Sequence, residues 1–281
     1  MSRKSFLKLF LLLLAGLTLP LKASKKIYRA PAFFVGHGTP VNAITDNEYT
    51  QSLKKLGQSI QRPKAILMIS AHWMPPFYGV TVHQDRKLMY DIFDFPPALD
   101  EVQYPAPNAA FLTPKIKSIF KELKVKNRGL DHGAWSVLVH LFPDANIPVM
   151  QLGINRNLSL QEHFKVGESL KTLRDEGVMI IGSGNVTHNL PEMIKDRKAP
   201  ILQSAASFDQ FVKESIEKRD YQALIDFEKA SPDAKVSHPT LEHYIPLLYV
   251  AAAAYEDDTS LFTYEGIEFA TISMRNWFLT S

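Results

Sequence analysis

The sequence predicts an α/β protein, a single domain with a central, mostly parallel or mixed sheet and helices on both faces. Segments with the apolar pattern of strands alternate with segments of helical periodicity, from about residue 32 to the C-terminus. Such alternation is typical of a sheet covered by helices. No segment has the composition of a linker that would divide the chain.

The predicted strands are short apolar runs, and several are apolar almost throughout, as strands buried on both faces are. Residues 178–190 are predicted to form a strand followed by a loop, and the other predicted strands cover residues 30–38, 65–73, 79–84, 147–155, 260–266 and 270–279. Because the last two follow each other without a long helix between them, they can make the sheet mixed.

The predicted helices show apolar residues at helical spacing. They cover residues 50–61, 158–177, 203–229 and 238–256, and a further helix follows residue 132. Gly177 ends the second of these, and Pro239 lies near the start of the one over residues 238–256. Residues 85–108 are rich in proline and aromatic residues and predict a long ordered loop. Loops of this length within a compact domain are usually functional or disordered.

Composition excludes several classes of function. The net charge is +3 with no long basic run, so nothing indicates nucleic-acid binding. The 281 residues include no cysteine, which excludes disulfides, thiolate metal sites and a cysteine nucleophile. Any metal must be held by nitrogen and oxygen atoms, and the nine histidines are the natural source of ligands.

Residues 1–23 predict an export signal. Basic residues precede an apolar run from Leu9 to Leu19 that is short for a membrane span, and Ala23 stands before Ser24. The segment "SRKSFLK" is similar to a twin-arginine signal, with Lys4 in place of the second arginine. We expect a periplasmic protein whose mature domain covers residues 24–281; an uncleaved anchor or a cytoplasmic protein are the alternatives.

Five histidines lie where chemistry is expected in an α/β sheet. His37, His72 and His188 each follow a predicted strand, and ligands bind beyond the carboxyl ends of such strands. His132 precedes a helix, and His243 lies near the start of another. Each has a structural alternative as a turn, cap or core residue. Three others, His83, His140 and His163, are interpreted as structural or exposed. His238 precedes Pro239 and is interpreted as a helix-entry cap.

The glycines around His37 and Ser183 raise separate questions. Gly36 and Gly38 would let the backbone approach a metal closely. The "GSG" of residues 182–184 lacks the third glycine and the following helix of a nucleotide-binding loop. Ser183 lacks the G-x-S-x-G context of a hydrolase nucleophile.

Taken in order, seven motifs resemble the class III extradiol ring-cleavage dioxygenases, and most closely their DOPA dioxygenase branch. They are "GHGTP", "SAHW", "YDIFDFP", "YPAP", "DHGAW", "GSGNVTHNL" and "PTLEHYIPLLY". The resemblance runs from about Ala32 to the C-terminus. It departs at Asp94, where the family motif usually has glycine, so an altered substrate pocket is expected. The export leader is also unusual for the family.

The resemblance implies a role for each of these histidines. His37 and His72 match two metal ligands, and His243 matches the third, with Glu242 as the competing ligand. Neighbouring residues on a helix point about 100° apart, so Glu242 and His243 are not expected to ligate together.

His188 matches an acid–base catalyst that can also approach the metal, and a pKa near neutrality would suit that task. His132 matches a second histidine of the substrate pocket.

The implied activity is cleavage of a DOPA-like catechol by O2 to a semialdehyde. Fe(II) is the expected metal, because a facial set of imidazoles leaves positions open for small ligands. Zn(II) fits the same ligands but has no redox chemistry. Two alternatives use the same histidines, namely a zinc hydrolase with Glu242 as the base and a non-catalytic exported metal-binding protein.

Overall fold

The computed structural model describes residues 28–82, 85 and 87–281 of the chain. Within these residues, eight strands form one mixed sheet in the order β4-β3-β5-β2-β6-β1-β10-β7, and β8 pairs with β9 separately. The strands are β1 (Ala32–Gly36), β2 (Ala65–Ser70), β3 (Gly79–Thr81), β4 (Lys124–Lys126), β5 (Val149–Leu152), β6 (Val178–Gly184), β7 (Thr259–Tyr264), β8 (Ile267–Glu268), β9 (Ile272–Ser273) and β10 (Asn276–Thr280).

Helices precede or follow most of these strands. The α-helices are α1 (Glu48–Ser59), α2 (Thr113–Ile119), α3 (His132–Leu141), α4 (Leu160–Leu170), α5 (Gln203–Glu217), α6 (Tyr221–Ile225), α7 (Phe227–Ala230), α8 (Ala234–Ser237) and α9 (Ile245–Ala252). Short 3-10 helices cover Pro40–Ile44, Pro97–Glu101, Ala110–Leu112 and Lys171–Arg174. Reciprocal capping boxes stabilise two of the helix starts, formed by Asn47 at the start of α1 and by Ser159 at the start of α4.

The centre of the sheet is parallel and its margins are not. β1, β6, β2 and β5 are neighbours and run in the same direction. β10 is antiparallel to β1, β7 is antiparallel to β10, and β3 is antiparallel to β5. The predicted fold class is therefore confirmed, including the C-terminal strands that make the sheet mixed.

The sheet separates two hydrophobic cores because successive strand residues point to opposite faces. In β1, Phe34 packs with the core beneath α4, α5 and α9, whereas Phe33 and Val35 pack with the core beneath α1 and α3. All five residues of β1 are buried, as expected for a central strand covered on both sides.

Two predicted helices differ from the structure. Residues 203–229 form α5, α6 and most of α7 rather than one helix, because Arg219 adopts a positive φ of 54° and the Asp220 side chain caps a new helix start. The helix predicted over residues 238–256 begins only at Ile245. Pro246 lies in its first turn, where a missing N–H costs no hydrogen bond, so this proline rather than Pro239 marks the start.

The export-signal prediction for residues 1–23 lies outside the described residues. Within the part of the chain that the structure describes, every helix is too short or too polar to cross a bilayer.

Candidate metal centre

Three of the predicted site histidines meet at the carboxyl edge of the parallel strands. His37 directly follows β1, His72 lies two residues after β2, and His188 lies four residues after β6. β6 pairs with both β1 and β2, so the three strand ends are adjacent. The structure therefore brings these residues together.

The imidazoles of His37 and His72 are in direct contact. Their Nε2 atoms lie 3.1 Å apart, and their ring centroids are separated by 5.0 Å. His132, the first residue of α3, places its ring centroid 3.7 Å from that of His72. One ligand atom from each of these three histidines can lie within 4.8 Å of the others.

His188, Glu242 and His243 form a second group beside the first. The rings of His188 and His243 stack with centroids 3.5 Å apart and planes 8° from parallel. The ring of His243 lies 5.3 Å from that of His37 and 5.0 Å from that of His72. The two groups therefore make one cluster of five imidazoles.

Glu242 and His243 do not lie on a helix, contrary to the sequence-based expectation. They belong to the turn before α9, because the helix begins only at Ile245. The Glu242 Oε1 atom lies 3.1 Å from His243 Nδ1 and also accepts a hydrogen bond of 2.8 Å from the Thr240 hydroxyl. Glu242 is thus placed to hold the His243 ring from the side opposite its Nε2 atom.

Burial favours the neutral form of four imidazoles in the cluster, those of His37, His72, His188 and His243. It is the main cause that holds the pKa values of His37 and His243 well below the ordinary range, and neighbouring histidines add to the effect. Burial also lowers the pKa of His72 and of His188 to about 4. Neutral imidazoles have free lone pairs for a metal ion. A pKa near neutrality was expected for His188, but burial lowers this pKa by more than the nearby Glu242 carboxylate raises it.

The segment from Ser183 to Asn185 connects three of the histidine-bearing segments through its backbone. The His37 N–H donates to the Gly184 carbonyl at 3.0 Å, and the Ala71 N–H donates to the Ser183 carbonyl at 3.0 Å. The Asn185 N–H donates to the His243 carbonyl at 2.9 Å. A Cβ atom on Gly184 would stand 2.0 Å from that same carbonyl oxygen, so the close approach requires glycine.

The glycines beside His37 are required by the packing and conformation of the backbone, and their predicted approach to a metal stays a prediction. A Cβ atom on Gly36 would stand 2.8 Å from the Ser273 carbonyl oxygen, so Gly36 permits close packing of protein backbone. Gly38 adopts a φ of 62°, which favours glycine in the turn after His37.

Asp91 is a site residue that sequence reasoning missed. Its Oδ1 atom accepts a 2.9 Å hydrogen bond from the His132 backbone N–H. The same oxygen lies 3.1 Å from His132 Nδ1, a contact whose angle falls short of a regular hydrogen bond. Burial alone would raise the pKa of Asp91, but its contacts with His132 lower it. The sequence contained one indication of this residue: Asp91 lies in the long loop predicted over residues 85–108, and ordered loops of that length are usually functional.

Asp131 is a second missed residue, buried behind His72 and His132. Its carboxylate accepts hydrogen bonds from Ser70 at 2.7 Å, Gln151 at 2.8 Å and Arg128 at 3.1 Å. Arg128 also donates to the His72 carbonyl at 3.1 Å. Asp131 therefore joins the end of β2 to the start of α3.

The other described histidines lie outside the cluster. His140 contacts the Asn42 carbonyl at 2.7 Å, and His163 contacts the Tyr249 hydroxyl at 3.0 Å, so both are structural as predicted. His238 was interpreted as a helix-entry cap, but it follows the end of α8 and is buried against the Val186 carbonyl. His83 lies outside the described residues.

Asp94, where the sequence departs from the glycine of the motif it resembles, has a backbone conformation that favours glycine. It adopts a φ of 60°, the left-handed conformation that favours glycine. Its side chain is exposed, as is that of Phe93 beside it, at 85%.

Known proteins are similar to this chain over most of its length. Residues 31–280 match the family described as the catalytic LigB subunit of aromatic ring-opening dioxygenase. A 4,5-DOPA dioxygenase extradiol of Escherichia coli K12 is 38% identical over 256 residues, which cover 88% of this chain and 93% of that protein. The protein of the same name from Beta vulgaris is 36% identical over 260 residues, covering 89% and 96%.

A solved structure shares the fold. The crystal structure of an uncharacterized Escherichia coli K12 protein superposes with a TM-score of 0.78 at 35% identity, covering 89% of this chain and 99% of that one.

Proposed function

Because this chain belongs to the family of the catalytic LigB subunit of aromatic ring-opening dioxygenases, we propose that it is a metal-dependent extradiol dioxygenase acting on a DOPA-like catechol. In the proposed reaction, the ring bond beside the two hydroxyls breaks and both atoms of O2 enter a ring-opened semialdehyde. The names of the relatives, 4,5-DOPA dioxygenase extradiol, support this substrate class. The observation that carries the proposal is the cluster of five imidazoles at one sheet edge, three of them buried and two half-buried.

The residues present fit a divalent metal. The sequence has no cysteine, so the donors are imidazole nitrogens and one carboxylate, and burial favours the unprotonated form of His37 and His243. We assign His37, His72 and His243 as the ligands. Glu242, the competing candidate, contacts Nδ1 of His243 and is better placed to orient that ring, a common arrangement around metal-bound histidines.

Fe(II) is the metal we propose, and Zn(II) fits the same donors. When bound, Fe(II) would acidify the catechol hydroxyls and mediate electron exchange between the ring and O2. A zinc-loaded protein is expected to bind catechols without cleaving them.

The residues of the chain would then move protons and position the substrate. His188, which stacks on His243, is neutral at pH 7 and can accept a catechol proton and return it during ring opening. Its pKa of about 4 makes it a weak base, so it can act only on a catechol that is more acidic in the site than in water. His132 faces the same space, with its Nδ1 held beside Asp91.

Oxygen consumption with a panel of catechols after anaerobic Fe(II) loading tests the proposal. Uptake that depends on both Fe(II) and a catechol is expected. A zinc hydrolase or a non-catalytic metal-binding protein would consume no oxygen under these conditions.

Variants separate metal binding from proton transfer. His37→Ala and His72→Ala should lose bound metal in elemental analysis. His188→Ala should keep the metal but lose oxygen uptake, and retained uptake would refute the role of His188.

We also propose that the protein is exported to the periplasm through its N-terminal segment, with a cytoplasmic location as the alternative. Immunoblotting of periplasmic and cytoplasmic fractions tests this. A full-length protein confined to the cytoplasm would contradict it.

A further inference from the structure

Ser183 is a buried hydroxyl that the proposed reaction does not use. It lies in β6, directly between Val35 of β1 and Ser70 of β2 in the register of the sheet. Its exposed fraction is 0%, so no substrate reaches it. The "GSG" sequence around it therefore forms neither a nucleophile nor a phosphate-binding loop, and its conformation calls for another explanation.

The hydrogen-bond partners of Ser183 determine where its single hydrogen points. Its Oγ lies 2.6 Å from the carbonyl oxygen of Gly133. A carbonyl has no hydrogen to donate, so the hydroxyl hydrogen must lie along this contact. The same Oγ lies 2.9 Å from Nδ1 of His37. Because the hydroxyl hydrogen is already engaged, the hydrogen in this second contact must belong to His37.

This assignment fixes the tautomer of His37. A neutral imidazole has one N–H and one free lone pair, so with the hydrogen on Nδ1 the lone pair lies on Nε2. Nε2 is the atom that faces His72, whose own Nε2 lies 3.1 Å away. The lone pair of His37 is thus aimed at the centre of the cluster.

We propose that Ser183 is a positioning residue that selects the Nδ1–H tautomer of His37 and so prepares Nε2 to bind the metal. This inference rests on the proposed role of His37 as a metal ligand. Ser183 also ties His37 to the first turn of α3 through Gly133, and its backbone carbonyl accepts from Ala71 beside His72. One residue therefore sets the positions of three segments that carry site histidines.

The tautomer can be measured in the metal-free wild-type protein. Long-range ¹⁵N–¹H NMR of ¹⁵N-histidine-labelled protein distinguishes a protonated from an unprotonated ring nitrogen, and a His37→Asn variant assigns the signal. Nδ1 protonated and Nε2 unprotonated is the expected result. A protonated Nε2 with a bare Nδ1 would overturn the proposal, and no folding defect can obscure this test because the protein is unaltered.

Metal affinity supplies the second test. Zn(II) affinity, measured by competition with a chelator, should fall about 10–100-fold in Ser183→Ala, the range typical for the loss of a partner to a metal-bound histidine. Ser136→Ala is the matched control, because Ser136 is also buried but its hydroxyl has no hydrogen-bond partner among the described residues. Equal affinity in wild type and Ser183→Ala would contradict the proposal.

The outcomes distinguish this inference from the proposed function. If wild type binds no Zn(II), or if His37→Ala binds it as well as wild type, the metal-ligand assignment fails. If wild type binds Zn(II), His37→Ala does not, and Ser183→Ala matches wild type, only the role of Ser183 fails. Circular dichroism of Ser183→Ala should match wild type, and a Ser183→Thr variant that restores the affinity would show that the hydroxyl is responsible.

Discussion

Gly184→Ala should damage the metal centre without altering any histidine. The added Cβ atom would stand 2.0 Å from the His243 carbonyl oxygen and 3.0 Å from the carbon of that carbonyl. Because Cβ atoms essentially never approach other atoms closer than 3.0 Å, the oxygen must retreat by about 1 Å. The obstacle is backbone rather than a flexible side chain, so rotation about a side-chain bond cannot relieve it.

The cost can be worked out from the contacts. Overpacking of a tight site costs about 1–3 kcal/mol. The retreat also stretches the 2.9 Å hydrogen bond from Asn185 to His243, which is worth about 1 kcal/mol. We expect the free energy of unfolding to fall by about 2–4 kcal/mol. A displacement of 1 Å in a catalytic group can lower a rate by about 100-fold, so ring cleavage should fall on that order.

Urea denaturation and oxygen uptake measure the two effects, with Gly266→Ala as the matched control. A Cβ atom on Gly266 would meet only the Tyr264 ring, at 3.4 Å, an ordinary van der Waals contact. Wild-type stability and activity in Gly184→Ala would refute the claim that the backbone of β6 sets the position of His243.

Three further predictions concern the surroundings of the cluster. Asp131→Ala leaves the partly buried Arg128 without its carboxylate partner, and the free energy of unfolding measured in urea should fall by about 3–5 kcal/mol; an unchanged value would contradict the network. Asp94→Gly removes the strain of a φ of 60°, so the free energy of unfolding should rise by up to about 1 kcal/mol and the melting temperature should rise with it. A lower melting temperature would show that Asp94 stabilises the loop. Burial lowers the pKa of His72 and of His188 from 6.5 to about 4, so the folded state binds fewer protons than the unfolded state between these values. The unfolding free energy of the metal-free protein should therefore be highest above about pH 6.5 and fall as the pH decreases toward 4. An unfolding free energy that stays constant over this pH range in denaturant titrations would contradict the burial of these neutral imidazoles.

The fold class could be predicted from the sequence because the local patterns of the central strands and of residues 158–177 agree with the final fold. The central strands are apolar on both faces, and residues 158–177 begin with a capping box and end at a glycine with a φ of 89°. The position of His37, His72 and His188 after predicted strands made their convergence possible, and the pairing of β6 with β1 and β2 brings them together. Where the predicted pattern failed, a single residue decided the outcome: Pro246 starts α9, and Arg219 breaks the helix predicted over residues 203–229.

The partners of the histidines could not be predicted from sequence patterns. Asp91 meets His132 across 41 residues of chain, and Ser183 meets His37 across 146. Such contacts depend on the register of the sheet and on a loop without regular structure, and neither leaves a periodic signal. Ser183 was visible within the "GSG" sequence, but the motifs known for that spacing pointed to chemistry that its burial forbids.

Isotope incorporation tests the central claim most directly. The Fe(II)-loaded protein is allowed to turn over L-DOPA under ¹⁸O2, and the aldehyde is reduced with borohydride as it forms to prevent exchange with water. Mass spectrometry should find both ¹⁸O atoms in the ring-opened product, with one O2 consumed for each catechol. A product that carries oxygen only from water, or no ring-opened product with any catechol tested, would contradict the assignment as an extradiol dioxygenase.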